Sequence, residues 1–201
     1  MSSKRENGFT IYELMITVVI VGLVVALGLP NLGSVSRDNR VTVTASDLQN
    51  AFKLARSEAI RASNTITLCA SDNAMADDAD CRGDWQDGFI VFNDLDGNLV
   101  RAGANETLIQ VQPALAEGIQ LAVENDARYF SFSANGTGRG DVDGRRAVSR
   151  IVICDDRGLN ETSQGKSSGE LLVATPLGHV TATRDHETVS NALRHIDGGC
   201  G

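Results

Sequence analysis

The sequence predicts an α+β protein: a long N-terminal helix, transmembrane in its first part, packed on an antiparallel β-sheet domain. Three observations lead there. No charged residue occurs over the 16 positions from Leu14 to Leu29. A face of apolar residues at helical spacing follows, and short β-rich runs separated by Gly, Asp and Asn fill the remainder of the 201 residues. At 42% hydrophobic and 22% charged, the chain is neither disordered nor collagenous and is long enough to bury a core without metal support. The net charge of −8 argues against a phosphate-neutralising role, and 4% aromatics argues against a stacking platform for single-stranded nucleic acid.

Taken in order, Met1–Glu6 is short and polar and carries Lys4 and Arg5. From Phe9 to Leu29 only Glu13 interrupts 21 otherwise uncharged residues, about the length that crosses a bilayer as a helix. Basic residues precede the run, so the first residues are expected in the cytoplasm and the bulk of the chain beyond the membrane. No A-x-A-like cleavage site follows the run, which argues against a conventional signal peptide. Glu13 needs explaining, because a carboxylate at membrane depth costs roughly 2.5–3.5 kcal/mol unless it finds a partner. It is either solvated at the headgroups or functional.

Pro30, with Gly28 and Gly33 beside it, is expected to kink the helix, since proline deletes a hydrogen bond and crowds the preceding turn. Beyond it, over 30–63, Val41, Ala45, Leu48, Phe52, Ala55, Ala59 and Ala62 recur at alternating steps of four and three, which is one helical face. Four of the seven are alanine, so this face can lie close to whatever it packs on. The β-rich part spans 64–201, with strands expected at Thr65–Cys69, Phe89–Asn93, Leu99–Arg101, Thr107–Gln112, Ile119–Glu124, Tyr129–Ser133, Val148–Cys154, Glu170–Ala174 and Val180–Thr183. Asp96-Gly97 between apolar runs predicts a hairpin turn. Asn135–Gly144 and Gly158–Gly169 read as long loops, and no long second helix is evident.

An oxidising compartment and four cysteines, Cys69, Cys81, Cys154 and Cys200, suggest two disulfides. Three connectivities are open. Cys69–Cys81 with Cys154–Cys200 is preferred, because the first closes one loop and the second ties the C-terminal tail to a strand; by chain entropy they are worth roughly 3 and 4 kcal/mol at most. No C-x-x-C is present, and His186, His195 and Cys200 lack zinc spacing, so no metal is expected. Asp94, Asp96 and Asn98 mimic the start of a calcium loop, but Gly97 stands at position four and Asn105 at position twelve, where an EF-hand needs glycine at six and glutamate at twelve. Asp72, Asp77, Asp78, Asp80 and Asp84 against Arg82 form an acidic stretch, read as a solvated loop or a contact for a basic neighbour. Arg139-Gly140-Asp141 is chance-level as an adhesion tripeptide. No G-x-S-x-G, P-loop or H-E-x-x-H occurs, so neither an enzyme nor a cofactor is expected.

Gly8-Phe9-Thr10-Ile11-Tyr12-Glu13-Leu14, with the apolar run and Pro30 behind it, resembles the class III signal of type IV pilins and type II secretion pseudopilins. The resemblance implies a cleaved leader (1–8), cut by prepilin peptidase after Gly8, and N-methylation of the new terminus, Phe9. It implies a retained membrane helix over 9–29 and a role for Glu13 at mature position five in assembly, by pairing with the Phe9 amine of a neighbour. Loss of Lys4, Arg5 and Glu6 removes one net positive charge. A second likeness, carried by Ala55-Arg56-Ser57-Glu58-Ala59 and by Cys69, Cys81 and Asp84–Asp94, is to GspH/FimT-type minor pilins and pseudopilins, most like the FimU kind; together the two span about residues 8–100. This implies a pilin-like fold and a subunit that primes or caps a type IV pilus, with a type II secretion pseudopilin as the first alternative and a DNA-binding competence minor pilin as the second. Expected partners are other minor pilins and the major pilin, prepilin peptidase and inner-membrane lipid. The expected location is the inner membrane, single-pass with a periplasmic C-terminal domain, and then the pilus, at its tip. Some members of the group bind DNA through a G-R-x-R motif. Here Gly178-His179-Val180-Thr181 stands in its place without either arginine, so DNA is not an expected partner.

Overall fold

The computed structural model describes residues 8–102, 105–162, 164–196 and 199–200, with the side chains of 27–35 outside the description. The expected leader therefore lies outside the described residues except for Gly8. One helix, α1 (Ile11–Ala62), runs through the apolar and amphipathic segments. The kink expected at Pro30 falls where side chains are not described. The chain divides into two compact units, residues 1–38 and 39–201.

In the second unit the strands are β1 (Ile66–Ala70), β2 (Phe89–Asn93), β3 (Leu108–Gln112), β4 (Gln120–Val123), β5 (Tyr129–Phe132), β6 (Arg150–Cys154), β7 (Lys166–Ala174) and β8 (Val180–Asp185). They form two four-stranded sheets, β3-β2-β1-β5 and β4-β6-β7-β8, with antiparallel pairing throughout. Strand periodicity sorts their side chains into separate cores. Ile66 and Leu68 of β1, Phe89 and Val91 of β2, and Phe130 and Phe132 of β5 join Ile151, Ile153 and Leu172 of the other sheet in one cluster. That cluster also holds Val41, Ala45, Leu48, Ala51, Phe52, Ala55 and Ala59, so the C-terminal half of α1 is the common backing of both sheets. The expected helical face is recovered with two changes: Ala51 is fully buried and Ala62 only partly.

The opposite faces of the inner strands are covered too, which is why β2 and β6 read as nearly continuous apolar runs. On the first sheet, Cys69, Ile90, Phe92 and Tyr129 pack with Ala74, Ala79 and Leu99 from loops. On the second, Val152, Cys154 and Leu171 pack with Val189, Ile196 and Cys200. Val189 belongs to α2 (His186–Leu193), a short helix the sequence reading missed. Its Asp185 N-cap accepts from the Thr188 amide at 2.9 Å, but eight residues with one buried position give no readable period.

Two further expectations fail. Leu99–Arg101 is not a strand: Leu99 is buried with φ at 63°, and Asp96 and Asn98 side chains accept from the amides of Asn98 and Val100. Such local bonds satisfy amides that a ladder would otherwise use. Nor is Asp96-Gly97 a hairpin turn, because β2 pairs with β3 across the whole stretch from Asp94 to Thr107. The loop expected at Gly158–Gly169 is cut short by β7, which begins at Lys166.

Candidate assembly site

Helix α1 begins with Thr10 outside it and Glu13 in its first turn, the spacing of a capping box. The Thr10 hydroxyl accepts from the Glu13 amide at 3.2 Å, while Glu13 Oε2 accepts from the Thr10 amide at 3.0 Å and from its hydroxyl at 2.9 Å. A helix leaves its first amides without intrahelical acceptors, and this reciprocal arrangement satisfies two of them. The carboxylate also sits at the positive end of the helix dipole. Thr10 is the residue the sequence reading overlooked, although Thr-x-x-Glu before an apolar run was there to be read. Gly8 and Phe9 precede the helix in exposed, non-helical backbone, Phe9 being 73% exposed.

Behind this turn every described side chain up to Ala26 is exposed. The consecutive residues Val18, Val19, Ile20 and Val21 are 56–66% exposed, so the helix is bare on all sides rather than along one stripe. Apolar surface of this extent on a protein marks contact with a membrane or with other proteins. Among the described residues no helix is long and apolar enough to cross a membrane; the run continues in sequence to Leu29, into the stretch whose side chains are not described.

In the globular part, Cys69 is bonded to Cys81 and Cys154 to Cys200, the pairing preferred from the sequence. The first bridge anchors the acidic loop. Its charges are partly answered locally, Arg82 meeting Asp80 at 2.8 Å and Arg128 meeting Asp84 at 3.0 Å, while Arg101 donates to the Asp77 and Ala79 carbonyls. The stretch at Gly178 is the turn between β7 and β8. A Cβ on Gly178 would lie 2.2 Å from the Gly136 carbonyl oxygen, and φ is +75°, so glycine is required there by packing alone. His179 and Thr181 beside it are exposed and neither is a permanent cation. Arg139-Gly140-Asp141 is structural: Arg139 donates to the Gly97 carbonyl, the Gly140 carbonyl accepts from Tyr129, and Asp141 accepts from the Ala147 amide. His179, His186 and His195 lie apart along the C-terminal region and share no cluster with one another among the described residues.

Among curated proteins none matches this chain. Of solved structures, it is similar to the type IV minor pilin FimU of Pseudomonas aeruginosa, at 18% identity and TM-score 0.47 over 81% of this chain and 96% of that one. It is also similar to the minor pseudopilin EpsH from the type 2 secretion system of Vibrio cholerae, at 12% identity and TM-score 0.45 over 72% and 97%. The family model described as type II transport protein GspH matches residues 44–184, from within the buried face of α1 to Arg184 in β8. That match covers well over half of the sequence, and the chain belongs to the GspH family of minor pilins and pseudopilins.

Proposed function

We propose that this chain is a structural, non-enzymatic minor pilin that helps to prime or cap a type IV pilus. The observation that carries the reading is the first turn of α1: one anchored carboxylate at the head of a helical stretch whose described side chains are exposed on every side up to Ala26. Prepilin peptidase cuts the exposed Gly8–Phe9 bond on the cytoplasmic side, and the apolar helix over 9–29 remains in the inner membrane with the sheets in the periplasm. The cut frees a cationic amine at Phe9, which is then N-methylated. Thr10 and its amide lie beyond the cut, so the capping box survives it. In a low-dielectric setting an amine and a carboxylate attract strongly, and pairing offsets the cost of burying either. Glu13 of one subunit meeting Phe9 of the next fixes their axial stagger as the subunit leaves lipid for the filament tip. The partners are other minor pilins and the major pilin, and histidine and threonine rather than arginine at positions 179 and 181 argue against DNA.

The family description favours a second reading, a pseudopilin of a type II secretion system. Deletion of the gene separates the two. Loss of surface pili with normal protein secretion, restored by the intact gene, supports the pilus role. Intact pili with secreted proteins retained in the periplasm support the secretion role instead.

A further inference from the structure

The loop between β2 and β3 gathers three carboxylates. One oxygen each from Asp94, Asp96 and Glu106 lies within 4.8 Å of the other two. Two oxygens on a common calcium ion at about 2.4 Å can be at most about 4.8 Å apart, so the cluster is already of a size to share one ion. The sequence hid this because the glutamate falls one position beyond the EF-hand register, and the loop is not an EF-hand.

A second observation points to a ligand. Asp94 is fully buried, and although its Oδ2 accepts from Thr67 Oγ1 at 2.7 Å and from the Leu99 amide at 3.2 Å, its Oδ1 is buried without a partner among the described residues. An orphaned carboxylate oxygen in the interior is costly unless a cation or water meets it. Glu106, 5% exposed, is fixed from both arms of the loop, accepting from the Leu95 amide at 3.0 Å and the Ala102 amide at 2.7 Å. Asp96 is exposed and, among the described residues, bonded only to Asn98. None of the three carboxylates has an ion-pair partner among the described residues. The neighbouring guanidiniums are engaged on carbonyls, Arg101 on those of Asp77, Ala79 and Glu106, and Arg139 on that of Gly97.

We propose that Asp94, Asp96 and Glu106 bind a calcium ion that locks the β2–β3 loop. The donor set is all oxygen, which suits a hard cation, and three carboxylates supplying one or two oxygens each leave room for water in a shell of six to eight. Magnesium demands tighter octahedral geometry and holds its water, so calcium is the better fit. The assignment is independent of the role in pilus assembly.

The test uses the full chain in detergent, with its melting temperature followed against calcium chloride, magnesium chloride and EDTA, and calcium affinity measured by calorimetry. Calcium is expected to raise the melting temperature and EDTA to reverse it, with magnesium weaker. Asp96→Asn, a change at an exposed position, is expected to melt as wild type in EDTA yet to bind calcium about tenfold or more weakly, because affinity follows ligand charge. No response of the wild type to calcium, an equal response to magnesium, or unchanged affinity in Asp96→Asn would each overturn the proposal.

Discussion

Glu13 caps its own helix, and in the proposed role the same carboxylate meets a neighbour's amine; the two are separable by substitution. Thr10→Ala frays the first turn but leaves the acid in place; Glu13→Ala removes both functions. We predict that Glu13→Ala leaves the globular part folded by circular dichroism while largely abolishing incorporation into filaments, and that Thr10→Ala still incorporates. Equal loss in both variants would make the cap, rather than the pairing, the operative feature. Glu170 on β7 offers a test of another kind. Burial pushes its carboxyl above the usual range, opposed by Arg184, and its Oε2 has no hydrogen-bond partner among the described residues. With a folded-state value raised above the unfolded one, its favourable contribution is complete below about pH 4.3 and is lost as the pH climbs through the folded value. Glu170→Gln should therefore gain in melting temperature over wild type as pH rises from 4 to 7. A difference that shrinks over that interval would contradict the assignment.

Helix α1 works as an element because alanine lets it approach both sheets. Ala51, Ala55 and Ala59 are each 0% exposed in the main cluster. Ala55→Leu overfills that contact and is predicted to cost about 1–3 kcal/mol, lowering the melting temperature of the full chain by several degrees. A neutral result would mean the helix stands off the sheets. The Cys154–Cys200 bridge spans 46 residues and lies in the same cluster as Val189 of α2. Replacing both cysteines by serine should cost about 2–5 kcal/mol and expose α2 to hydrogen exchange before β6; simultaneous exchange would show that the bridge does not hold α2. The helix face, eight of nine strands and the cysteine pairing were legible in the sequence, because apolar period and loop closure act locally. What escaped reading depended on competition or on distance. Side chains of Asp94 and Asn98 took the Leu99 and Val100 amides that a strand over Leu99–Arg101 needed, and Glu106 came to Asp94 only through the fold of its loop.

At the scale of the molecule, family membership accounts for most of the globular part, which the family match covers as far as Arg184 in β8, while residues 9–43 and 185–201 stand outside it. The proposed role depends on that uncovered segment: whether the helix is kept when the leader goes. Sequence alone placed Gly8, Phe9 and Glu13 in register, and the structure adds a capped helix start just past an exposed peptide bond. The most direct measurement is the intact mass and N-terminal sequence of the protein purified from membranes. A chain beginning at N-methylated Phe9 is predicted; one that begins at Met1, or at any residue beyond Pro30, would contradict the account.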